Sequence, residues 1–230
     1  MKQIATQGIV LARINYGEAD RIITVLTADQ GKIRLLAKGV RKIKSKMAGG
    51  IELFSVNDLT YIAGKGDMGT LISSRVKTNF GAIIQDINRT MFAYEVLKQI
   101  NKITEDSPEP EYFHALFQVL AAINELSISE ASIRLWFTMR LLVMGGHAPN
   151  VQTTEQGEKL RENGDYIFDF DAMAFVERPQ GPFTSRHIKL LRLSQNVESP
   201  HKLTQVQTSA EITSAAMQLV TNIYKQQGYV

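Results

Sequence analysis

An α+β chain, with an N-terminal five-stranded antiparallel barrel followed by a mainly α-helical domain, is the fold class the sequence predicts. Three observations predict it. Within residues 1–80 short β-branched runs alternate apolar and polar positions between turn residues, as strands do. After Phe80 and Gly81 the apolar period lengthens to that of a helix. Charge divides at the same place: residues 1–80 hold 13 Lys plus Arg against 6 Asp plus Glu, a net +7, and the remainder nets −4. A basic module therefore precedes a near-neutral or acidic one, with expected domains 1–80 and 81–230 and an irregular stretch at 150–182.

The strand candidates are GIVLARI (residues 8–14), RIITVLT (21–27) and KIRLLAK (32–38), the last two joined by the turn Asp29-Gln30-Gly31. In the third run Ile33, Leu35 and Ala37 share one face and Lys32, Arg34 and Lys38 the other, with Leu36 the exception. Residues 55–63 and 70–79 form a second pair across the glycine-rich segment 64–69. In its last strand Ile72 and Val76 are expected on one face, Arg75 and Lys77 on the other. Five short strands in 80 residues leave no room for crossover helices. A closed antiparallel barrel follows, for which the OB-fold is the common five-stranded solution.

Beyond residue 81, Ile83, Ile87, Met91, Tyr94 and Leu97 recur along one helical face, which is expected to be buried in a helix ending near Thr104. Ser107-Pro108-Glu109 supplies a cap and first turn for a second helix running to about Leu126. Ser127 with Glu130 reads as a capping box for a third helix over residues 129–144, apolar nearly all round and ended by Gly145-Gly146. Residues 150–182 show little pattern apart from a possible strand, DYIFDF, at 165–170. A short helix at 185–193 would place Arg186, Lys189 and Arg192 on one side. The last helix opens at a Thr208/Glu211 capping box, carries Ile212, Ala216, Leu219 and Ile223 as its apolar stripe, and stops at Gly228.

Composition excludes several function classes. Hydrophobic residues make up 44% of the chain, enough for a globular protein rather than a disordered one. With no cysteine there is no disulfide, thiolate metal site or cysteine nucleophile. His114, His147, His187 and His201 are scattered, so no metal is expected. Gly64, Gly66 and Gly69 lack phosphate-loop spacing and read as a turn. Asp165, Asp169 and Asp171 read as a solvated strand edge rather than a cation site. Trp136 and Phe137 read as core. The N-terminal residues are too polar for a signal peptide and no apolar run approaches a membrane span, so a soluble, cytoplasmic protein without enzymatic chemistry or cofactor is expected.

The stretch KIRLLAKGVRKIKSK, residues 32–46, carries seven cations, and no acidic residue lies between Asp29 and Glu52. Clustered, uncompensated cations mark contact with a polyanion. Phosphate contact is assigned to Arg34, Lys38, Arg41, Lys42, Lys44 and Lys46, with Arg75 and Lys77 as flanking contacts. The strand half is expected to fix position and the loop at 39–50 to adapt to phosphate. Aromatic partners for unpaired bases are few: Tyr16, Phe54 and Tyr61. On residues alone, DNA, RNA of translation or processing, and an acidic protein docking on the loop all remain open as partners.

The motifs Gly8-Ile9-Val10-Leu11, Tyr16-Gly17-Glu18-Ala19-Asp20-Arg21, Gly31-Lys32 and Ala37-Lys38-Gly39-Val40-Arg41-Lys42 together resemble the N-terminal domain of the bacterial RecO family. The likeness continues through residues 135–146 and the segment GGHAP, and fades after Asn150. It implies an OB-fold barrel followed by a helical domain in a non-enzymatic, nucleoid-associated mediator of DNA repair and recombination. Such proteins bind single- and double-stranded DNA, anneal complementary strands and, with RecR, assist RecA loading on DNA coated by single-stranded-DNA-binding protein. The surface for the acidic tail of that coat protein is expected on the helical domain. Many relatives also carry two CxxC pairs for zinc after the region matching GGHAP; here that region has no cysteine, and zinc is dropped.

Overall fold

The computed structural model describes residues 2–43, 45, 47–64, 66–104, 109–206 and 208–228. They form two compact units, 1–125 and 126–230. In the first, β1 (Gln3–Tyr16), β2 (Asp20–Thr27), β3 (Lys32–Ala37), β4 (Ser55–Ile62) and β5 (Met68–Asn79) close into a barrel in the order β1-β2-β3-β5-β4. All pairings are antiparallel except β3 with β5, a short parallel contact from Arg34–Met68 to Leu36–Thr70 that closes the barrel.

The first strand is longer than the expected 8–14 because it serves two neighbours. Its first half pairs with β4 and its second with β2, with a register shift between Val10 and Ala12. Gly8 sits at the changeover, where a Cβ would lie 2.4 Å from Val25 Cγ1 and 2.9 Å from Leu59 Cδ1, so only glycine lets the strand pass this close to the interior. Val10, Ile23, Val25, Leu35, Leu59 and Leu71 fill the core. Ile33 packs against it, as its face predicts. In β5 the alternation fails: two register shifts against β4, between Val56 and Asn57 and between Thr60 and Tyr61, interrupt it, and Ile72 and Val76 are exposed along with Arg75 and Lys77.

Two helices complete this unit, α1 (Ile87–Ile103) against β1 and α2 (Pro110–Asn124) against β2. Asp86 caps α1, accepting from the Arg89 N–H, and Glu109 precedes Pro110 at the first turn of α2. The expected cap at Ser107 and Pro108 lies outside the described residues. Lys32 Nζ donates to the carbonyls of Asn101 (3.0 Å) and Thr104, occupying acceptors that the end of α1 leaves open. That lysine is structural. The buried face of α1 is Phe92, Ala93, Val96, Leu97 and Ile100. Ile87, Met91 and Tyr94, expected in the core, are exposed, because the helix has two apolar stripes and periodicity does not say which one meets the barrel.

In the second unit, α3 (Glu130–Met144), α4 (Ser185–Asn196) and α5 (Ala210–Gln226) pack mutually. Ser129, not Ser127, caps α3, and Ser209, not Thr208, caps α5. The stretch expected to be irregular is a four-stranded sheet of β6 (Asn150–Thr154), β7 (Asp165–Asp169), β8 (Ala174–Glu177) and β9 (Phe183–Thr184), ordered β6-β8-β7-β9. Tyr166, Phe168, Phe175 and Phe183 meet edge to face with centroids 5.1–6.3 Å apart, so aromatic packing supplies the core of this sheet. Arg192 reaches back from α4 to the Val151 carbonyl at 2.6 Å and Lys189 pairs with Glu162. The expected stripe with Arg186 is therefore largely engaged within the fold.

His187 closes a capping box with Thr184, its Nδ1 accepting the Thr184 N–H at 3.1 Å. Burial lowers its pKa below the usual 6.5, opposed by Glu211. The unfolded chain therefore binds the proton more readily, and His187 withdraws stability as pH falls through the unfolded value. Wild type is expected to lose more stability between neutral and mildly acid pH than His187→Asn, measured by urea unfolding at each pH; parallel losses would contradict this.

Candidate nucleic-acid interface

Two of the sequence motifs are in contact. The turn between β1 and β2, residues 17–19, packs against the turn that follows β3: the Arg41 N–H donates to the Ala19 carbonyl (2.9 Å), the Gly39 N–H to Asp20 Oδ1 (2.6 Å), and Arg41 Nη1 to the Gly17 carbonyl (3.3 Å). Gly39 has φ +65, a left-handed turn that glycine enters without a Cβ penalty. Val40, between the cations, drops into the barrel core. These constraints leave Lys38, Arg41 and Lys42 exposed on a fixed turn.

Arg34 projects from the outer face of β3, paired across to Thr24, and borders a shallow groove with Gly64, Gly66 and Asp67. Lys44 and Lys46 lie outside the described residues. The far end of the loop is anchored as well: a 3₁₀ turn, Ala48–Ile51, buries Ile51, and Ser74 Oγ of β5 donates to the Gly50 carbonyl. A Cβ on Gly50 would meet the Ser74 backbone carbonyl oxygen at 2.7 Å. The loop is thus held at both ends rather than free throughout. Its far anchor lies beside Arg75, which stands directly across from Asp58, and Lys77 is exposed two residues on.

Distance along the chain concealed two acids. Glu18 and Asp20 share a groove with Lys38 and Lys42, although no acid lies between Asp29 and Glu52 in sequence. The Asp20 carboxylate is occupied by the Gly39 N–H. Arg13 and Arg21 are bound to Glu52. Of the three candidate aromatics, Phe54 and Tyr61 are core at 4% and 6% exposure, whereas Tyr16 is 54% exposed beside the basic turn. Ile14 and Ile43, which sequence reasoning passed over, are bare at 66% and 104%.

The arrangement fits a phosphate backbone: fixed cations on a strand face and turn, no general base or nucleophile among them, and no group of three or more metal-ligating side chains among the described residues. No helix among those residues is long and apolar enough to cross a membrane.

Comparison with known proteins places this geometry in a family. The family model described as recombination protein O N terminal matches residues 1–80, and the one described as recombination protein O C terminal matches residues 84–229. Among relatives named DNA repair protein RecO, that of Acetivibrio thermocellus is 34% identical over 154 residues, 66% of this chain and 61% of its own length. That of Listeria welshimeri is 38% identical over 120 residues, 52% and 47% respectively. Halalkalibacterium halodurans has one 30% identical over 146 residues, 63% and 57%. The similarity thus spans about half to three fifths of these relatives. Since the two family models together cover almost the whole sequence, the chain belongs to the recombination protein O, or RecO, family.

Proposed function

We propose that this chain is a DNA repair and recombination mediator that binds single- and double-stranded DNA, anneals complementary strands and assists RecA loading with RecR on DNA coated by single-stranded-DNA-binding protein. Residues 1–80 would be the nucleic-acid-binding domain and 81–230 the domain that receives the coat protein, with the work done in the cytoplasm on the nucleoid. The observation that carries the reading is the pinned turn holding Lys38, Arg41 and Lys42 outward beside Arg34, supported by relatives named for DNA repair. Two DNA strands repel through their phosphates. A rigid basic surface that screens both raises their local concentration and leaves the bases to pair, so no bond chemistry is involved.

Arg34, Lys38, Arg41 and Lys42 neutralise about four phosphates, so log affinity for single-stranded DNA should fall against log salt with a slope of about −3. A flat salt response would sink the assignment. The decisive assay is annealing of complementary oligonucleotides coated with single-stranded-DNA-binding protein, with and without this chain; an unchanged rate would count against the mediator role.

A further inference from the structure

The outer face of the β1-β2-β3 part of the barrel is covered unevenly. At one end α1 and α2 lie over it, and Lys32 ties β3 to the end of α1. At the other end it is bare. Cross-strand partners there share a face: Ala12, Thr24 and Arg34 form one row, Ile14, Ile22 and Leu36 the next, and Tyr16 stands opposite Asp20. Because the intervening Ile23 and Leu35 fill the interior, these rows point outward. The result is an apolar strip of Ile14, Ile22, Leu36 and Tyr16, bordered by Arg34 on one side and by Lys38, Arg41 and Lys42 on the other.

We propose that this strip contacts unpaired DNA bases, with Tyr16 stacking on a base, Ile14 beneath its neighbour, and Ile43 of the basic turn against the next. The inference rests on the DNA-binding reading above and adds which part of the strand is recognised. Charge complementarity selects the occupant: an apolar strip framed by cations suits a ligand with flat apolar bodies and a regularly charged backbone, which single-stranded nucleic acid has. A duplex buries those bodies within its own stack and would leave the strip without a partner. The position, along strands 2 and 3 and the turn between strands 1 and 2, is where OB barrels take oligonucleotides. Tyr16 is 54% exposed and stands apart from the barrel core.

The test compares three ligands by fluorescence anisotropy at fixed salt: an oligothymidine strand, an abasic strand of the same length and charge, and the corresponding duplex. Wild type should prefer oligothymidine to the abasic strand by about tenfold, the size expected for one stacked base. Tyr16→Ala should remove most of that preference while leaving affinity for the abasic strand and the duplex unchanged, and Tyr16→Trp should restore it. Equal wild-type affinity for oligothymidine and the abasic strand, with salt dependence intact, overturns the base contact but leaves the DNA-binding reading standing. Absence of salt-dependent binding to all three overturns both. Polyglutamate competing as well as oligothymidine would mark an acidic protein as the occupant and likewise overturn the base contact.

Discussion

Reversing three charges on the pinned turn, Lys38→Glu with Arg41→Glu and Lys42→Glu, is expected to cut single-stranded DNA affinity by at least about a hundredfold at 0.1 M salt. Each phosphate neutralised on a single strand contributes about 0.7 to the salt exponent, hence about 0.7 log units at 0.1 M, so three lost contacts remove about two log units before repulsion is added. The slope of log affinity on log salt should shrink from about −3 to about −1, the residue belonging to Arg34. Duplex affinity should fall in parallel, because phosphate contacts do not distinguish the two forms. All three side chains are exposed, so the thermal midpoint serves as the control for folding. An unaltered slope would move the interface elsewhere.

That prediction needed the structure as well as the sequence. The cations were legible from residues 32–46 because charge density is a local property. Their presentation was not: the Gly39 N–H to Asp20 bond and the Arg41 to Ala19 bond join segments 19 and 22 residues apart in the chain, and nothing in either segment announces the other. The same non-locality hid Glu18 and Asp20, and made Lys32, one more cation in the run, a cap for α1.

Element type was legible where one face of an element is buried and its period is clean, as in β3 and α5, or where a long apolar run is bounded by cap and stop signals, as in α3. It failed for other physical reasons in other places. Gln3, Thr6 and Gln7 lie outside the expected first strand, yet their backbone pairs with β4, since strand pairing needs no apolar side chain. On α1 the stripe expected from sequence runs through Ile87 and Met91, whereas the barrel surface the helix meets selects Phe92, Val96 and Ile100. In β5, register shifts rather than composition turn Ile72 and Val76 outward. The sheet of residues 150–184 has strands of two to five residues, too short for alternation to stand out. Its acidic group has local duties: Asp169 accepts from the Asp171 and Ala172 N–H groups and Asp165 from that of Gln180. Among the interface residues, Tyr16 was on the short list of aromatics, but only burial separates it from Phe54 and Tyr61.

The largest stability effect should follow Trp136→Ala, with a cost of about 3–5 kcal/mol, the range for deleting a fully buried large aromatic. Trp136 is wholly buried on α3, and its Nε1 donates to the Val197 carbonyl at 3.0 Å, the residue that ends α4. Arg140, one turn on, donates to the same carbonyl at 2.5 Å and lies 5.4 Å from the indole centroid. Burial lowers its pKa, Glu198 opposing. The substitution opens a cavity beneath this arrangement and leaves Arg140 without the ring it lies over. Trp136→Phe retains much of the volume and forfeits the hydrogen bond, so its cost should be smaller, about 1–2 kcal/mol. Urea unfolding followed by circular dichroism separates the two, and a Trp136→Ala loss below about 1 kcal/mol would contradict the central place given to α3. No disulfide shares the load, because the chain contains no cysteine. With Trp136 and Tyr166 wholly buried and Tyr166 packed edge to face on Phe175, the stability of this unit is concentrated in its aromatic contacts.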